Sequence, residues 1–379
     1  MPNTKLKLLF ILNVLKPGTG PFQRAIRLDT NKLDVTIVSC SDNQKDLEEK
    51  VHALVGDRNN YKLIGLGVSN RIFFIYELCK LILLQKPDII QVNHTFSSLV
   101  AILWGKLIRT PVIVSFEGTL FTRFSCLKRY SLGMIYALTD GVIAVSHTTK
   151  KVNSQALGFW NRWINRIVIY NGIDIVDFDE VLEAKNQNYF FDKTTFNIGY
   201  VGDLKPVKDV KTLVEAFAIF AKNNIESKLI LVGEGELRPE LEQIVKREGL
   251  VGRVCFTGLI DRKEVYVLLS DIDIFVMPSK VEGLSEAIVQ AMTARVPVLV
   301  SDIEPNEELV QSSVTGYTFE QGNVVNLATQ LELIKNSRAK NVLLVKNARQ
   351  KIENELDIYR IVESYRQFYT KLYEGKKKP

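Results

Sequence analysis

Short apolar runs alternating with helical patterns along the whole chain constrain its fold more than any other feature. LKLLFIL, LDVTIVS, YKLIGLG, DIIQVN, PVIVSF, GVIAVS and RIVIYN come first, with helical stretches between them. Parallel strands need such crossovers, and strands covered on both faces read as nearly continuous apolar runs. Residues 174–195, DIVDFDEVLEAKNQNYFFDKTT, break the pattern; they are polar and acidic without a clear period, and read as a linker. FNIGYVG, SKLILVG, RVCFTG, DIDIFVM, VPVLVS and TGYTF then resume it. The pattern predicts an α/β chain of two doubly wound, Rossmann-like domains facing each other, with the active site in a shared cleft beyond the strands' carboxyl ends.

Length agrees with two domains, since 379 residues at 46% hydrophobic exceed one ordinary core. Cys40, Cys79, Cys126 and Cys255 form no CxxC pair, which argues for a reducing compartment and against structural zinc. Lys5 and Lys7 before LLFILNVL imitate a signal peptide. That run is short, contains Asn13 and leads into PGTGP, so it reads as a first buried strand. Ile72 to Leu84 is apolar but interrupted by Glu77 and Lys80, too short to span a bilayer, and reads as a buried crossover helix. The final amphipathic stretch runs from Asp357 to Tyr373, and GKKKP reads as a frayed tail.

Charge is unevenly spread. Residues 1–173 hold 22 Lys+Arg against 11 Asp+Glu, and the other 206 residues hold 27 against 32. A basic half beside an acidic one points to an anionic surface or substrate for the first domain. The basic residues follow no recognisable nucleic-acid motif, so DNA or RNA is not the expected partner.

Candidate chemistry concentrates after the second-half strands. PSKVEGLSEAIVQAM, Pro278 to Met292, places Glu282 and Gly283 between a buried strand and a helix that would start near Ser285. Backbone N–H groups around Gly283, Leu284 and Ser285 would then form an anion site at the positive end of the helix dipole. GDLKPVKD puts Gly202, Lys205 and Lys208 at another strand-to-helix turn, suited to a diphosphate or simply solvated. Glu234, in VGEGE, would accept from a sugar or ribose hydroxyl or close a plain tight turn.

GYVGDLKPVKD, LILVGEGE, VCFTGLI, DIDIFVMPSKVEGLSEAIVQAM, VPVLVSD and EELVQSSVTGYTF together resemble the nucleotide-sugar half of the family 4 retaining glycosyltransferases, which have the GT-B fold. PGTG, LTDGVIAVS and IYNGID fit the other half more loosely. The resemblance implies an acceptor-binding domain over 1–173, the linker at 174–195, a nucleotide-sugar domain over 196–356, and a carboxyl-terminal helix, 357–379, packing back on the first domain. It also implies that Lys208 binds the donor diphosphate, that Glu282 contacts the transferred sugar as the first glutamate of E-x7-E, and that Gly18 and Gly20 belong to a loop over the phosphate. Four positions depart from the family. Asp203 stands where arginine is usual, Gln290 where glutamate is, Arg295 where glycine is, and Glu117 where histidine is.

A carboxylate at Asp203 aimed at a diphosphate would cost about 4 kcal/mol at about 4 Å and an effective dielectric of about 20, so it points away or Lys205 offsets it. Gln290 can still accept a ribose hydrogen bond. Arg295 lies about ten residues along the helix, roughly 15 Å from its phosphate end. Glu117 would act on the acceptor hydroxyl, orient the donor sugar, or be an ordinary polar residue at a strand end. His94, after DIIQVN, is a candidate at the acceptor, although a lone histidine is more often structural. His52 and His147 carry no such argument, and no metal cluster is visible.

GFWNRWINR gathers Phe159, Trp160, Arg162, Trp163 and Arg166, a composition suited either to the headgroup layer of an anionic membrane or to an apolar face packed under the neighbouring strand. The expectation is a cytoplasmic enzyme, peripheral at the inner face of the membrane. It would move a hexose-type sugar from a nucleotide-diphosphate donor, UDP favoured over GDP, to a glycan or lipid-linked acceptor in cell-surface polysaccharide or lipopolysaccharide synthesis, with no cofactor or metal. A noncatalytic nucleotide-sugar-binding partner or a nucleotide-sugar epimerase of the same architecture are the alternatives.

Overall fold

The computed structural model describes residues 5–14, 20–28, 32–55, 61–68, 70–93, 96–184 and 194–377. The chain divides into two compact units, 1–172 with 358–379, and 173–357.

In unit 1 the strands are β1 (Leu6–Leu12), β2 (Leu33–Ser39), β3 (Lys62–Gly65), β4 (Ile89–Asn93), β5 (Val112–Glu117), β6 (Gly141–Ala144) and β7 (Arg166–Val168). They form one parallel sheet in the order β3-β2-β1-β4-β5-β6-β7. Its helices are α1 (Gly20–Ala25), α2 (Gln44–Val55), α3 (Arg71–Gln85), α4 (Phe96–Leu107), α5 (Cys126–Ala137) and α6 (His147–Leu157). Right-handed crossovers place α1 and α2 on one face of the sheet, and α3 to α6 on the other, because the strand order reverses direction at β1. On the second face Phe74, Leu78 and Ile82 of α3 pack with Ala101 and Ile102 of α4 over Ile90 and Val92, and Ile135 of α5 joins them.

The apolar run 72–84 is therefore a crossover helix, capped by the Asn70 side chain on the Ile72 and Phe73 N–H groups, but it is not buried all round. Every third or fourth residue faces the core, while Ile72, Phe73, Tyr76, Leu83 and Leu84 are exposed. Hydropathy alone could not separate these faces, because both are apolar.

Unit 2 repeats the plan with β8 (Phe196–Val201), β9 (Ser227–Val232), β10 (Val254–Gly258), β11 (Ile274–Met277), β12 (Val298–Ser301) and β13 (Tyr317–Phe319). The parallel order is β10-β9-β8-β11-β12-β13, again switching direction at its first strand. Its helices are α7 (Ile175–Glu183), α8 (Val210–Asn223), α9 (Arg238–Arg247), α10 (Arg262–Leu269), α11 (Glu286–Thr293), α12 (Glu304–Leu309), α13 (Val324–Lys335) and α14 (Arg338–Lys351).

The stretch read as a linker needs correcting, since its first half is α7. Asp174 caps that helix through the Asp177 N–H, and the buried Phe178 ring lies 4.1 Å from Tyr266 of α10. Asp179, which looked like one more acid, receives Arg349 through Nη1 at 3.1 Å and Nη2 at 2.6 Å. Ile175, Phe178 and Leu182 are a helical stripe hidden in an acidic sequence. Residues 185–193 of that stretch lie outside the described residues.

The last helix, α15 (Ile358–Lys377), belongs to unit 1 and continues through the Gly375–Lys377 segment read as frayed. Tyr369 donates its hydroxyl to Gln91 of β4, and Tyr373 donates to Asp88 at 3.2 Å. Among the described residues no helix is long and apolar enough to cross a membrane.

Candidate functional site

The carboxyl edge of the unit 2 sheet gathers most of the residues singled out in sequence. After β8 the chain passes Gly202 and makes a short turn, Pro206–Lys208, which aims Lys208 across to the segment that follows β11. The two segments are tied by backbone, Lys280 N–H donating to Val207 C=O at 2.9 Å. Lys208 Nζ meets Glu282 Oε1 at 2.6 Å, although 74 residues separate them in sequence. Ser279 Oγ donates to the same carboxylate oxygen at 2.6 Å, and its own carbonyl accepts from Ser301 Oγ of β12 at 2.6 Å. Glu282 is 8% exposed and the Lys208 side chain 23%, so the pair is partly desolvated yet still reachable.

Directly after Glu282, Gly283 and Leu284 lead to Ser285, the N-cap of α11. Ser285 is buried and its hydroxyl makes no capping bond, so no Ser285 cap covers the helix start. A cation, a carboxylate and a helix start thus converge where strand order switches, the place in an open parallel sheet where anionic ligands are bound.

The remaining unit 2 candidates are sorted by their contacts. Lys205 Nζ lies 2.6 Å from Asp203 Oδ2 on an exposed loop, which raises the lysine's pKa through that hydrogen bond and charge. The Asp203 carboxylate is thereby offset within its own turn. Gly202 has a packing reason independent of any ligand, since a Cβ there would sit 2.7 Å from the Tyr200 hydroxyl. Burial, then the negative charges of Glu282 and Asp203, push that hydroxyl above its ordinary pKa. Glu234 pairs with Arg238, one helical turn on, which occupies part of its accepting capacity. Gln290 is half-buried, just over one turn into α11.

Arg295 has a structural explanation. It follows the C-cap Ala294 with φ of 59°, its N–H donating to Met292 C=O at 3.3 Å and the Val296 N–H to Ala291 C=O at 3.2 Å. This is a left-handed helix termination that favours glycine, so the family's glycine serves the backbone there and arginine is tolerated at some strain.

In unit 1 three expectations are corrected. Glu117 ends β5 with its side chain turned into the domain, fully buried. Arg166 Nε donates to Glu117 Oε1 at 3.1 Å, and Asn153 Nδ2 donates to Oε2 at 3.2 Å. Burial pushes the carboxyl pKa up while Arg166 and Asn153 pull it down. Glu117 is consequently a structural residue, closed off from donor and acceptor. Arg166, placed in sequence at a membrane, is its buried partner. Trp160 turns inward onto the cluster of Phe121, Tyr136 and Leu157, whereas Phe159 and Trp163 stay exposed with the Arg162 guanidinium 4.2 Å from each ring.

Gly18 and His94 lie outside the described residues, and Gly20 is the first residue of α1. Sequence reasoning missed Ser279, Asn153 and Arg24. Arg24, one turn past Gly20, is fully buried between the rings of Phe116 and Tyr365, at 4.9 and 5.1 Å, and donates to Asn171 of IYNGID. Its signal was the IYNGID motif it holds, but a lone arginine in a short helix looks like any surface cation.

Two doubly wound sheets, the second with a cation, a carboxylate and a helix start at its edge, define a two-unit α/β architecture suited to an anionic ligand, and comparison with known proteins supplies the family. The family model described as "Glycosyltransferase Family 4" matches residues 23–177, and that described as "Glycosyl transferases group 1" matches 182–351. The chain belongs to these family 4, group 1 glycosyltransferases and has their GT-B fold.

Among its relatives is the UDP-Gal:alpha-D-GlcNAc-diphosphoundecaprenol alpha-1,3-galactosyltransferase of Escherichia coli, 25% identical over 80% of this chain and 84% of that protein. The capsular polysaccharide biosynthesis glycosyltransferase CapM of Staphylococcus aureus is 24% identical over 78% and 81%. Anabaena HepE, crystallised with UDP and glucose, superposes with a TM-score of 0.79 at 21% identity, covering 97% of this chain and all of that one.

Proposed function

We propose that this glycosyltransferase moves a hexose-type sugar from a UDP-sugar to a hydroxyl of a glycan or lipid-linked acceptor during cell-surface polysaccharide or lipopolysaccharide synthesis, retaining anomeric configuration without a metal. The observation that carries this reading is the Lys208–Glu282 pair at the start of α11. The diphosphate would lie against the α11 amides, with Lys208 neutralising charge that develops as the sugar–phosphate bond breaks. Glu282, braced by Ser279, would hold the sugar hydroxyls, and Gln290 and Glu234 would accept from the ribose. Retention follows if acceptor attack and phosphate departure share one face, the departing phosphate oxygen taking the acceptor proton. Catalysis is then mainly positioning and leaving-group stabilisation.

Two kinds of relative support the donor and acceptor classes: HepE was crystallised with UDP and with UDP-glucose, and the Escherichia coli relative is named for UDP-Gal and a diphosphoundecaprenol acceptor. A lipid-linked acceptor would place the enzyme on the cytoplasmic side of a membrane, with Phe159, Arg162 and Trp163 at the headgroups. The test is a panel of nucleotide sugars assayed for transfer to lipid-linked acceptors, with Glu282→Gln as control. Transfer from a UDP-sugar that is lost in Glu282→Gln supports the reading. Transfer unaffected by that substitution defeats it.

A further inference from the structure

Glu282 has two holders of unequal reach. Lys208 comes to its Oε1 from the turn after β8 with a side chain 23% exposed. Ser279 Oγ donates to the same oxygen at 2.6 Å from a residue that is 0% exposed. Both donors meet on Oε1, so Oε2 carries no bond among the described residues and is the carboxylate oxygen left for a ligand. An ammonium is a compact charge on a flexible stem, and a diphosphate outweighs one carboxylate in charge, so a donor at the start of α11 draws Lys208 to itself. The buried serine hydroxyl stays behind.

Ser279 is itself held from behind. Its carbonyl accepts from Ser301 Oγ, at the end of β12, at 2.6 Å. Asn306 of α12 then donates Nδ2 to Ser301 Oγ at 3.0 Å and to Ser301 C=O at 3.1 Å. Ser301 and Asn306 are as fully buried as Ser279. With Asn306 donating to Ser301 Oγ, that hydroxyl turns its own proton to Ser279. Ser279 Oγ has one other acceptor within reach among the described residues, Met277 Sδ at 3.1 Å, and a thioether competes poorly with a carboxylate. The arrangement leaves Asn306 Oδ1 buried without a partner among the described residues. A buried orphan acceptor is costly, and an apolar side chain would fill the space without one. The two bonds it gives Ser301 therefore explain this amide better than packing does.

We infer that Ser279, backed by Ser301 and Asn306, is a positioning residue that keeps the Glu282 carboxylate turned with Oε2 toward the transferred sugar after a donor has drawn Lys208 away. The inference deepens the proposed donor site and rests on it for the sugar, whereas the geometry of the relay stands without any ligand. It divides the site between two sets of groups. Lys208 and the α11 amides answer to the diphosphate, and the serine relay answers to the sugar, so loss of the relay leaves UDP affinity alone.

Ligand-free crystal structures of Lys208→Ala and Lys208→Ala/Ser279→Ala show what holds Glu282 once the lysine is gone. The carboxylate is expected to stay on Ser279 Oγ in the first and to turn away in the second. A carboxylate that leaves Ser279 in Lys208→Ala, or keeps its place in the double variant, overturns the inference whatever the ligand. Wild type, Ser279→Ala and Ser279→Thr, the last retaining the hydroxyl, are then compared by UDP calorimetry and by turnover of UDP-glucose and UDP-galactose. Ser279→Ala is expected to bind UDP as wild type does while kcat falls roughly 10- to 100-fold. Ser279→Thr is expected to regain most of that kcat without a matching gain in melting temperature. Unchanged kcat in Ser279→Ala, or a loss that follows the melting temperature and is not restored by threonine, also overturns the inference. A wild type that fails to bind UDP or to turn over either sugar counts against the donor reading alone, and the two crystal structures then decide the positioning.

Discussion

Each half of this molecule has a glutamate at the carboxyl end of a parallel strand, and each glutamate is met by a cation from another segment. In unit 1 the pair is Glu117 with Arg166, its side chains 0% and 2% exposed; in unit 2 it is Glu282 with Lys208, at 8% and 23%. The first is closed over by Asn153 and the Phe121 cluster, with both partners fixed by the fold. The second sits between two loops beside a helix start, where a ligand can compete for the lysine. The same residue types at similar places are thus sealed in one unit and reachable in the other, and access is why the proposed chemistry is put at the second pair.

The largest effect that would break this contrast is on unit 1. Glu117→Ala leaves Arg166 buried without its counter-ion, and breaking such a pair costs about 3–5 kcal/mol, so the thermal midpoint should fall steeply. The loss should be visible at Cys40, whose burial pushes its thiol to about 11. In the intact protein Cys126 and Cys255 are exposed and should label quickly with a thiol reagent while Cys40 resists. Glu117→Ala should speed Cys40 labelling, and Glu282→Gln should not. Equal labelling in both variants would erase the distinction.

Next in size, Glu282→Gln should lower kcat/KM for transfer by roughly 100- to 1000-fold, as loss of one well-placed polar group in a site does, with the melting temperature unmoved. A parallel fall in stability would make unit 2's pair structural too. Smaller, and opposite in sign, Arg295→Gly should stabilise unit 2 by about 0.5–1 kcal/mol in denaturant unfolding, because the left-handed helix end is strained with any side chain. Smallest is Lys205→Ala, which breaks an exposed pair and should leave the melting temperature where it is.

Much of the architecture was legible in the sequence because parallel strands covered on both faces carry their signal locally, and the thirteen apolar runs became thirteen strands in two sheets among the described residues. The unit 2 site was legible for a related reason. Lys208, Glu282 and Ser285 each adjoin a strand end, and topology brings strand ends to one edge. What sequence could not show is side-chain direction. Glu117 was placed at its strand end, but whether it turned outward depended on Arg166, 49 residues away. Arg166 and Trp160 were grouped with Phe159 and Trp163 by composition, but within the 3-10 turn Gly158–Trp163 only Trp160 packs inward while Phe159 and Trp163 stay exposed, and Arg166 lies beyond the turn as the buried first residue of β7. Similarly, α7 hid in an acidic stretch whose Asp179 is paired with Arg349, 170 residues further along the chain.

Titration calorimetry of UDP into wild type and Lys208→Ala tests the central claim most directly, because it asks whether the reachable ion pair receives a diphosphate. The account predicts that wild type binds UDP and that Lys208→Ala binds it roughly tenfold more weakly or less, at an unchanged melting temperature. Equal affinity for UDP in the two proteins would contradict it.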